Sequence, residues 1–289
     1  MSSALRNIAI IAHVDHGKTT LVDQLFRQSG TFRENQRVEE RAMDSGDLEK
    51  ERGITILAKC TSVEWEHGGQ TTRINIVDTP GHADFGAEVE RILSMVDGVI
   101  LLVDSAEGAM PQTKFVTGKA LALGLRPIVV VNKIDRSDSR PQEVLDEVFD
   151  LFVSLDASDE QLEFPVLYAS GRDGYASEDE TAREGSLAPL FNKVIEHVPP
   201  PGLDPDAKFS FLATLLDRDN FMGRVITGRV QSGTIRVNDP IHAIDMDGKV
   251  IETGRATKLM SFDGLERVPV EIARAGDIIA DAGDAFLGQ

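Results

Sequence analysis

The sequence is poor in the features that mark exported, membrane-bound and broadly nucleic-acid-binding proteins. Its 289 residues contain one cysteine, Cys60, so no internal disulfide can form and a reducing compartment is favoured. No apolar run reaches the length of a signal peptide or a membrane span. Lysine and arginine total 30 against 48 for aspartate and glutamate, a formal net charge of -18. That charge argues against nonspecific nucleic-acid binding, but not against docking through a local patch. We therefore expect a soluble, cytoplasmic protein with no membrane partner.

The length and a hydrophobic content of 41% suggest two domains with ordinary cores. Over the first two thirds, apolar runs alternate with helical patterns, which predicts an α/β fold with a doubly wound, mostly parallel sheet. The runs 60–66 and 71–77 are joined by a short glycine-containing segment and predict an antiparallel hairpin at the sheet edge. The predicted helices begin near Thr19, Ala83, Pro111, Pro141 and Leu187.

A proline-rich stretch at 199–206 is the best candidate for a linker between domains. We therefore predict one domain over 1–198 and a second over 207–289. Short apolar runs separated by glycine turns predict that the second domain is a small all-β barrel. Residues 172–186 are polar, and we interpret them as a surface loop with no further role.

The segment after the first apolar run has the pattern of a phosphate-binding loop. It ends in Gly17-Lys18-Thr19 between a predicted strand and a predicted helix, although Ala12 replaces the usual first glycine. In such a loop the backbone N–H groups and the helix N-terminus face an anion, the lysine reaches the outer phosphates and the threonine hydroxyl holds Mg²⁺. The predicted phosphate-binding residues are Asp15, His16, Gly17, Lys18, Thr19 and Thr20.

Two further motifs follow strands and have the chemistry of a nucleotide site. Asp78-Thr79-Pro80-Gly81 closes the apolar run that ends at Val77. There the Asp78 carboxylate can reach Mg²⁺ through water, and the Gly81 N–H can meet a γ-phosphate. A later run, 164–167, ends in Tyr168-Ala169-Ser170-Gly171, and Ser170 with the Gly171 N–H is predicted to complete a base pocket.

The motif that selects the base is Asn132-Lys133-Ile134-Asp135, which follows the apolar run 127–131. The Asp135 carboxylate can accept hydrogen bonds from both N1–H and the 2-amino group of guanine. Adenine lacks this pair of donors, and an unpaired buried carboxylate is costly, so the motif favours GTP over ATP.

Each motif alone has an ordinary explanation, as a chance match, a turn or a helix cap. Together they lie at strand ends in the order that a doubly wound sheet requires, so they converge outside its carboxyl edge. This agreement between motif and context predicts a single guanine-nucleotide site.

The set of motifs resembles that of the translational GTPases, the class that contains the elongation factors. The segment 52–56 matches the first switch of that class, and His82 stands where other GTPases place glutamine. Within the class, the chain is similar over nearly its whole length to the BipA/TypA family of ribosome-associated GTPases. The stretches that carry this likeness are 30–36, 44–49 and 159–165. The ending at 284–289 matches nothing expected of the family, whose proteins continue further, so the chain resembles an N-terminal portion or an unusually short relative.

The resemblance implies a GTPase that acts on the bacterial ribosome as part of a full-length monomer. It implies that His82 is the catalytic residue and orients the attacking water, and that Val14 and Ile54 form a gate that the ribosome opens. The chain alone would then hydrolyse GTP slowly. The implied metal ligands are Thr19, Thr55 and Asp78.

Further expectations follow from the same likeness. Asp15 would bind a monovalent cation beside the phosphates. The second domain would be that of translation factors, with a Gly-Arg-Val-x-x-Gly pattern at 228–233. Residues 30–54 lack an apolar period, and we interpret them as a switch that Mg²⁺ and a γ-phosphate order.

Two alternatives stay open at this point. One is a binding module that senses guanine nucleotides and barely turns over. The other is a different translation factor, such as an elongation or back-translocation factor.

Overall fold

The computed structural model describes residues 4–30, 58–79, 86–219, 223–245 and 247–281. The chain divides into two compact units, Met1–Pro200 and Pro201–Gln289. The division falls inside the proline-rich stretch from which a linker is predicted.

In the described part of the first unit, seven strands form one sheet in the order β2-β3-β1-β4-β5-β6-β7. Neighbouring strands from β3 to β6 are parallel, whereas β2 and β7 are antiparallel edges. The strands are β1 Ala4–Ala12, β2 Lys59–His67, β3 Gln70–Asp78, β4 Gly98–Asp104, β5 Arg126–Asn132, β6 Val166–Ser170 and β7 Tyr175–Ser177. The described helices are α1 Lys18–Gln28, α2 Gly86–Leu93, α3 Pro111–Ala122, α4 Pro141–Ser154, α5 Asp159–Leu162 and α6 Ala188–His197.

The central strands are apolar because both faces of the sheet are covered. All seven residues of β4 are buried, and so are the last six of β5. Continuous apolar runs of this kind are typical of parallel strands that lie between helices. The predicted α/β class and the predicted edge hairpin are both confirmed.

The helices begin close to the predicted positions where those positions are described. Pro111 and Pro141 each occupy the first turn, where the missing N–H leaves no bond unmade. The helix predicted from Ala83 is described only over Gly86–Leu93, and its first residues lie outside the described part.

Two short elements in the described part of the first unit were not predicted. One is α5, whose N-cap Ser158 forms a capping box with Gln161. The other is β7, which lies within 172–186, so the interpretation of that stretch as a surface loop alone is wrong. Tyr175 of β7 is 1% exposed, and the strand pairs with β6 through Ser170 and Tyr175.

The single tryptophan of the chain belongs to the first unit. Trp65 on β2 stacks on Phe191 of α6 with ring centroids 4.3 Å apart, and its indole N–H donates to Asn192 Oδ1 at 2.9 Å. The stack joins the antiparallel edge of the sheet to the helix that precedes the proline-rich stretch. Cys60, the one cysteine of the sequence, is buried on the same strand.

The second unit is all β in its described part. Its strands form a five-stranded sheet in the order β14-β13-β16-β9-β8 and two two-stranded sheets, β10-β15 and β11-β12. They enclose a buried cluster that includes Val230, Ile235, Leu259 and Ile279. The strands are β8 Ser210–Asp219, β9 Gly223–Ser232, β10 Thr234–Arg236, β11 Pro240–Ile244, β12 Val250–Arg255, β13 Leu259–Asp263, β14 Glu266–Val270, β15 Ile272–Arg274 and β16 Ile278–Asp281.

The close packing of two strands requires a glycine at position 228, the first glycine of the Gly-Arg-Val-x-x-Gly pattern. A Cβ built on Gly228 would lie 1.9 Å from the Leu212 carbonyl oxygen, so only glycine lets β8 and β9 approach here. The register between these strands also shifts at Ala213, as in a β-bulge.

None of the helices that the structure describes is both long enough and apolar enough to cross a membrane.

Candidate functional site

The predicted phosphate-binding loop joins the end of β1 to the start of α1. Gly17 precedes the helix with φ 90° and ψ 23°, in the left-handed region. A Cβ built on Gly17 would lie 2.6 Å from Asn132 Nδ2. A larger residue would therefore be strained and would also collide with the neighbouring motif.

Asn132 connects three of the predicted motifs through one side-chain amide. Its Nδ2 donates to the His16 carbonyl at 2.9 Å, and its Oδ1 accepts from the Gly171 N–H at 2.8 Å. Asn132 is 1% exposed, and both partners are backbone groups that fix the orientation of the amide. The loop after β1, the end of β5 and the end of β6 therefore meet at one point.

Lys133 makes the next connection to the phosphate-binding loop. It adopts φ 62°, and its Nζ donates to the Asp15 carbonyl at 2.5 Å. The same Nζ lies 2.8 Å from Oδ2 of Asp104. The ammonium group is therefore shared between the loop and the end of β4.

Asp104 is a buried carboxylate that the motif analysis did not single out. It is 0% exposed, and it accepts from the Ala106 N–H at 2.8 Å and lies 3.3 Å from Arg136 Nη1. Burial, the largest influence, raises its pKa, but the hydrogen bond from Lys133 and those from backbone N–H groups together lower the pKa below its ordinary value. The sequence feature that could have identified Asp104 is its position, because it ends an apolar strand as Asp78 does.

The ring of His16 faces β4. Its Nδ1 accepts from the Asp104 N–H at 3.3 Å, and its Nε2 lies 3.4 Å from Glu107 Oε2. Burial and then the charge of His13 lower the pKa of His16, although Asp104 and Glu107 act in the opposite direction. The ring is therefore a neutral acceptor that holds the loop against the end of β4.

The phosphate side of the site brings together Lys18 and Asp78. Lys18 Nζ lies 2.8 Å from Asp78 Oδ1 and also donates to the Thr79 carbonyl. Thr79 Oγ1 in turn donates to the Ile10 carbonyl at 2.7 Å, which ties the end of β3 to β1. A carboxylate and an ammonium group therefore occupy this corner, and Thr19 follows Lys18 in the first turn of α1.

The base side contains a contact that the sequence did not suggest. Asp135, the predicted reader of guanine, lies 3.0 Å from Arg172 Nη2, and the Arg172 side chain is 73% exposed. Ser170 Oγ donates to Asp173 Oδ2 at 2.9 Å. Ile134 is buried, and its N–H donates to the Ala169 carbonyl at 3.2 Å.

The metal ligands predicted here are of the kind that Mg²⁺ prefers. No cluster of three or more His, Cys, Asp or Glu side chains that could hold a metal ion occurs among the described residues. Mg²⁺ needs no such cluster, since it takes one or two protein oxygens together with phosphate and water oxygens. Asp78 has such an oxygen 2.8 Å from Lys18 Nζ, and the roles of Asp78 and Thr19 as ligands stay predictions. Thr55, Gly81 and His82 lie outside the described residues, and their roles stay predictions.

Comparison with known proteins decides the family. Residues 3–200 match the elongation factor Tu GTP binding domain, and residues 223–285 match elongation factor Tu domain 2. The chain belongs to the elongation factor Tu GTP-binding-domain family. The first unit is therefore a G domain, and the second unit is the β-rich domain that follows it.

Curated relatives are similar over nearly the whole chain. The chain is 56% identical over 287 residues to the large ribosomal subunit assembly factor BipA of Bacillus subtilis strain 168, covering 99% of this chain and 46% of that protein. It is 53% identical over 283 residues to the protein of the same name in Escherichia coli K12, covering 98% of this chain and 46% of that protein. The chain thus spans less than half the length of these relatives.

Among solved structures, a bacterial selenocysteine-specific elongation factor, EF-Sec, matches with a TM-score of 0.70 at 24% identity, covering 100% of this chain and 44% of that chain. A protein from Thermus thermophilus matches with a TM-score of 0.71 at 21% identity, covering 99% of this chain and 53% of that chain. These likenesses show the fold of the G domain and of the β-rich domain.

Proposed function

We propose that this chain is the guanine-nucleotide switch of a protein that acts on the bacterial ribosome, binding GTP and hydrolysing it to GDP and phosphate. The observation that carries the proposal is the convergence of the P-loop, the Asn-Lys-x-Asp motif and the Ser-Gly motif on the amide of Asn132. A fold that served only packing would not require these three loops to share one buried polar group.

In this proposal the backbone N–H groups of the loop from Asp15 to Thr20 and the Lys18 ammonium hold the phosphates. The Asp135 carboxylate accepts the two donors of guanine, with Ser170 beside it. Gly171 contributes by fixing Asn132, since its N–H already donates to that side chain.

Thr19 and Asp78, joined by Thr55, would hold Mg²⁺, which when bound neutralises charge on the phosphates. Asp15 would add a monovalent cation beside them. Lys18 is already within 2.8 Å of Asp78, so the cationic and metal-binding groups share one corner of the site.

For hydrolysis, we propose that His82 orients the attacking water. Val14 and Ile54 form a gate that keeps the His82 side chain out of the site until a ribosome is bound. Without a ribosome, the chain would then hydrolyse GTP slowly. Changing His82→Ala should leave nucleotide affinity nearly unchanged and slow stimulated hydrolysis by at least about a hundredfold, the effect of losing one positioned catalytic group.

The cellular role rests on the relatives. Both are named as large ribosomal subunit assembly factors, which favours ribosome assembly over an elongation or back-translocation function. We propose that the full-length protein works as a monomer in the cytoplasm and contacts ribosomal RNA and protein.

Multiple-turnover phosphate release separates this function from a nucleotide sensor. The full-length protein should release phosphate from GTP slowly alone and faster with ribosomes, and ATP should not compete with GTP. Equal, negligible release under both conditions with tight GTP binding would establish the sensor instead. Comparable binding of ATP and GTP would contradict both.

A further inference from the structure

The carboxylate of Asp104 lies beside the nucleotide site but belongs to none of its recognised motifs. It is fully buried, and it receives Lys133, Arg136 and the N–H groups of Ala106 and Glu107 within 3.3 Å. A buried carboxylate persists only when charge and hydrogen bonds compensate for the water it has lost. The last residue of strand β4 therefore places a negative charge beside the site.

Lys133 links the Asp104 carboxylate to the phosphate-binding loop. Its backbone has a positive φ, which a lysine seldom adopts without support from its surroundings. Its ammonium group donates to the Asp15 carbonyl of the phosphate-binding loop while it pairs with Asp104. Its stem passes beside the loop, since a Cβ built on Gly17 would lie 3.7 Å from Lys133 Cε.

Asp104 also meets the loop directly. Its backbone N–H donates to Nδ1 of His16, and His16 is 0% exposed. The end of β4 is thus bonded to both sides of the site, to the loop through His16 and to the guanine motif through Lys133. Removing the carboxylate charge would leave the first bond in place and release the second.

We propose that Asp104 is a positioning residue for guanine-nucleotide binding, because it fixes Lys133 in the conformation that locks the phosphate-binding loop to the guanine motif. This inference rests on the proposed function. A carboxylate that serves the fold alone would contribute to stability without changing nucleotide affinity.

The test is Asp104→Asn, which keeps the shape and removes the charge. A fluorescent GDP analogue should bind the full-length variant about tenfold more weakly and dissociate faster, the size expected for losing one charge-assisted hydrogen bond. Single-turnover hydrolysis at saturating GTP should keep the wild-type rate, because the Asp104 carboxylate pairs with Lys133 and Arg136 rather than with Lys18. A purely structural role would instead lower the binding-competent fraction and leave the affinity of the remainder unchanged.

Two controls match this variant. Asp138→Asn removes a carboxylate that pairs with the same Arg136 but does not contact Lys133, and it should bind the GDP analogue like wild type. Asp97→Asn removes a partly buried carboxylate that accepts from Asn7 at 3.1 Å, away from the loop. It should lower the unfolding temperature without changing the dissociation rate of the analogue.

A double-mutant cycle with Lys133→Met decides whether Asp104 acts through Lys133. If it does, Asp104→Asn should change the affinity of the Lys133→Met variant by less than about twofold. Should Asp104→Asn not fold, Asp104→Ser leaves space for a water and replaces it in the cycle. Wild-type affinity in the Asp104 variant, or effects that multiply in the cycle, would overturn the proposal. Failure of the unaltered protein to bind GDP would overturn the proposed function instead.

Discussion

At the scale of single residues, we expect the choice of base to depend on Asp135. In our proposal its carboxylate is the acceptor that the Asn-Lys-x-Asp motif offers to the two donors of guanine. We predict that Asp135→Asn weakens GDP binding by about a hundredfold or more, since two hydrogen bonds to a charged group are lost. The amide donates where the carboxylate accepted, so the variant should favour xanthosine diphosphate. Competition of the two nucleotides against a fluorescent analogue measures the switch, and an unchanged preference for GDP would show that another residue reads the base.

The Asp135 carboxylate also pairs with a guanidinium group, which would compete with guanine for the same oxygens. The Arg172 guanidinium, 3.0 Å from Asp135, presents N–H donors where a guanine edge would donate. We predict that Arg172→Ala tightens GDP binding by up to about fivefold, because an exposed ion pair is worth at most about 1 kcal/mol. The gain should disappear at high salt, which screens the pair in wild type.

Arg183→Ala is the matched control for this change. Arg183 lies in the same polar stretch, but its guanidinium donates to the Glu180 and Ala182 carbonyls. It should bind GDP like wild type. Weaker binding in the Arg172 variant would show that the guanidinium assists the ligand rather than competing with it.

At the scale of elements, the short helix α5 has two separable supports. Ser158 caps it, whereas Gln161 both completes the capping box and donates to the Leu121 and Leu125 carbonyls at 3.0 and 3.1 Å. We predict that Ser158→Ala lowers the free energy of unfolding by about 1 kcal/mol. Gln161→Leu should lower it by about 2–3 kcal/mol, because it removes the acceptor of the Ser158 N–H and the donor to the Leu121 and Leu125 carbonyls. Urea unfolding of both variants gives the comparison, and equal losses would mean that the bonds to the carbonyls contribute nothing.

In the first unit, the long elements were predictable from the sequence and two short ones were not. The runs that became β3, β4 and β5 are long, apolar and bounded by turns, so their pattern alone fixes a buried parallel strand. The strand β7 and the helix α5 have three and four residues, too few for a period to be recognised. The spacing of Ser158 and Gln161 was the available signal for α5.

The residues of the candidate site also divide into those that the sequence predicts and those that it does not. The groups predicted to bind the nucleotide belong to motifs with fixed spacing, so Lys18, Asn132 and Asp135 could be named from the sequence. Asp104 pairs with Lys133 and Arg172 pairs with Asp135 from outside these motifs, and both pairings are set by how β4 and β6 lie in the sheet. Such long-range pairings leave no local pattern.

At the scale of the whole molecule, the buried His16 and the half-buried His197 are expected to give stability a defined pH dependence. Burial lowers the pKa of His16 and of His197 below the ordinary value of 6.5. The unfolded chain then binds more protons than the folded chain just below that value, so stability falls as the pH drops through it. Asp104 does not contribute in this range, because its pKa lies below 3.8.

We therefore predict a lower unfolding temperature at about pH 5 than at neutral pH. His16→Asn keeps an acceptor for the Asp104 N–H but cannot titrate, so it should reduce this difference. Thermal unfolding followed by circular dichroism at both pH values measures it. An unfolding temperature that does not change between them would show that burial does not lower the pKa of these histidines in solution.

The stack of Trp65 on Phe191 has an optical consequence. The chain has one tryptophan and two tyrosines, Tyr168 and Tyr175, and all three lie in the first unit. Indole emission therefore reports the G domain alone, while the β-rich unit is dark at that wavelength. When emission and backbone dichroism are recorded in one denaturation, the gap between their midpoints measures how independently the two units unfold, without any introduced label.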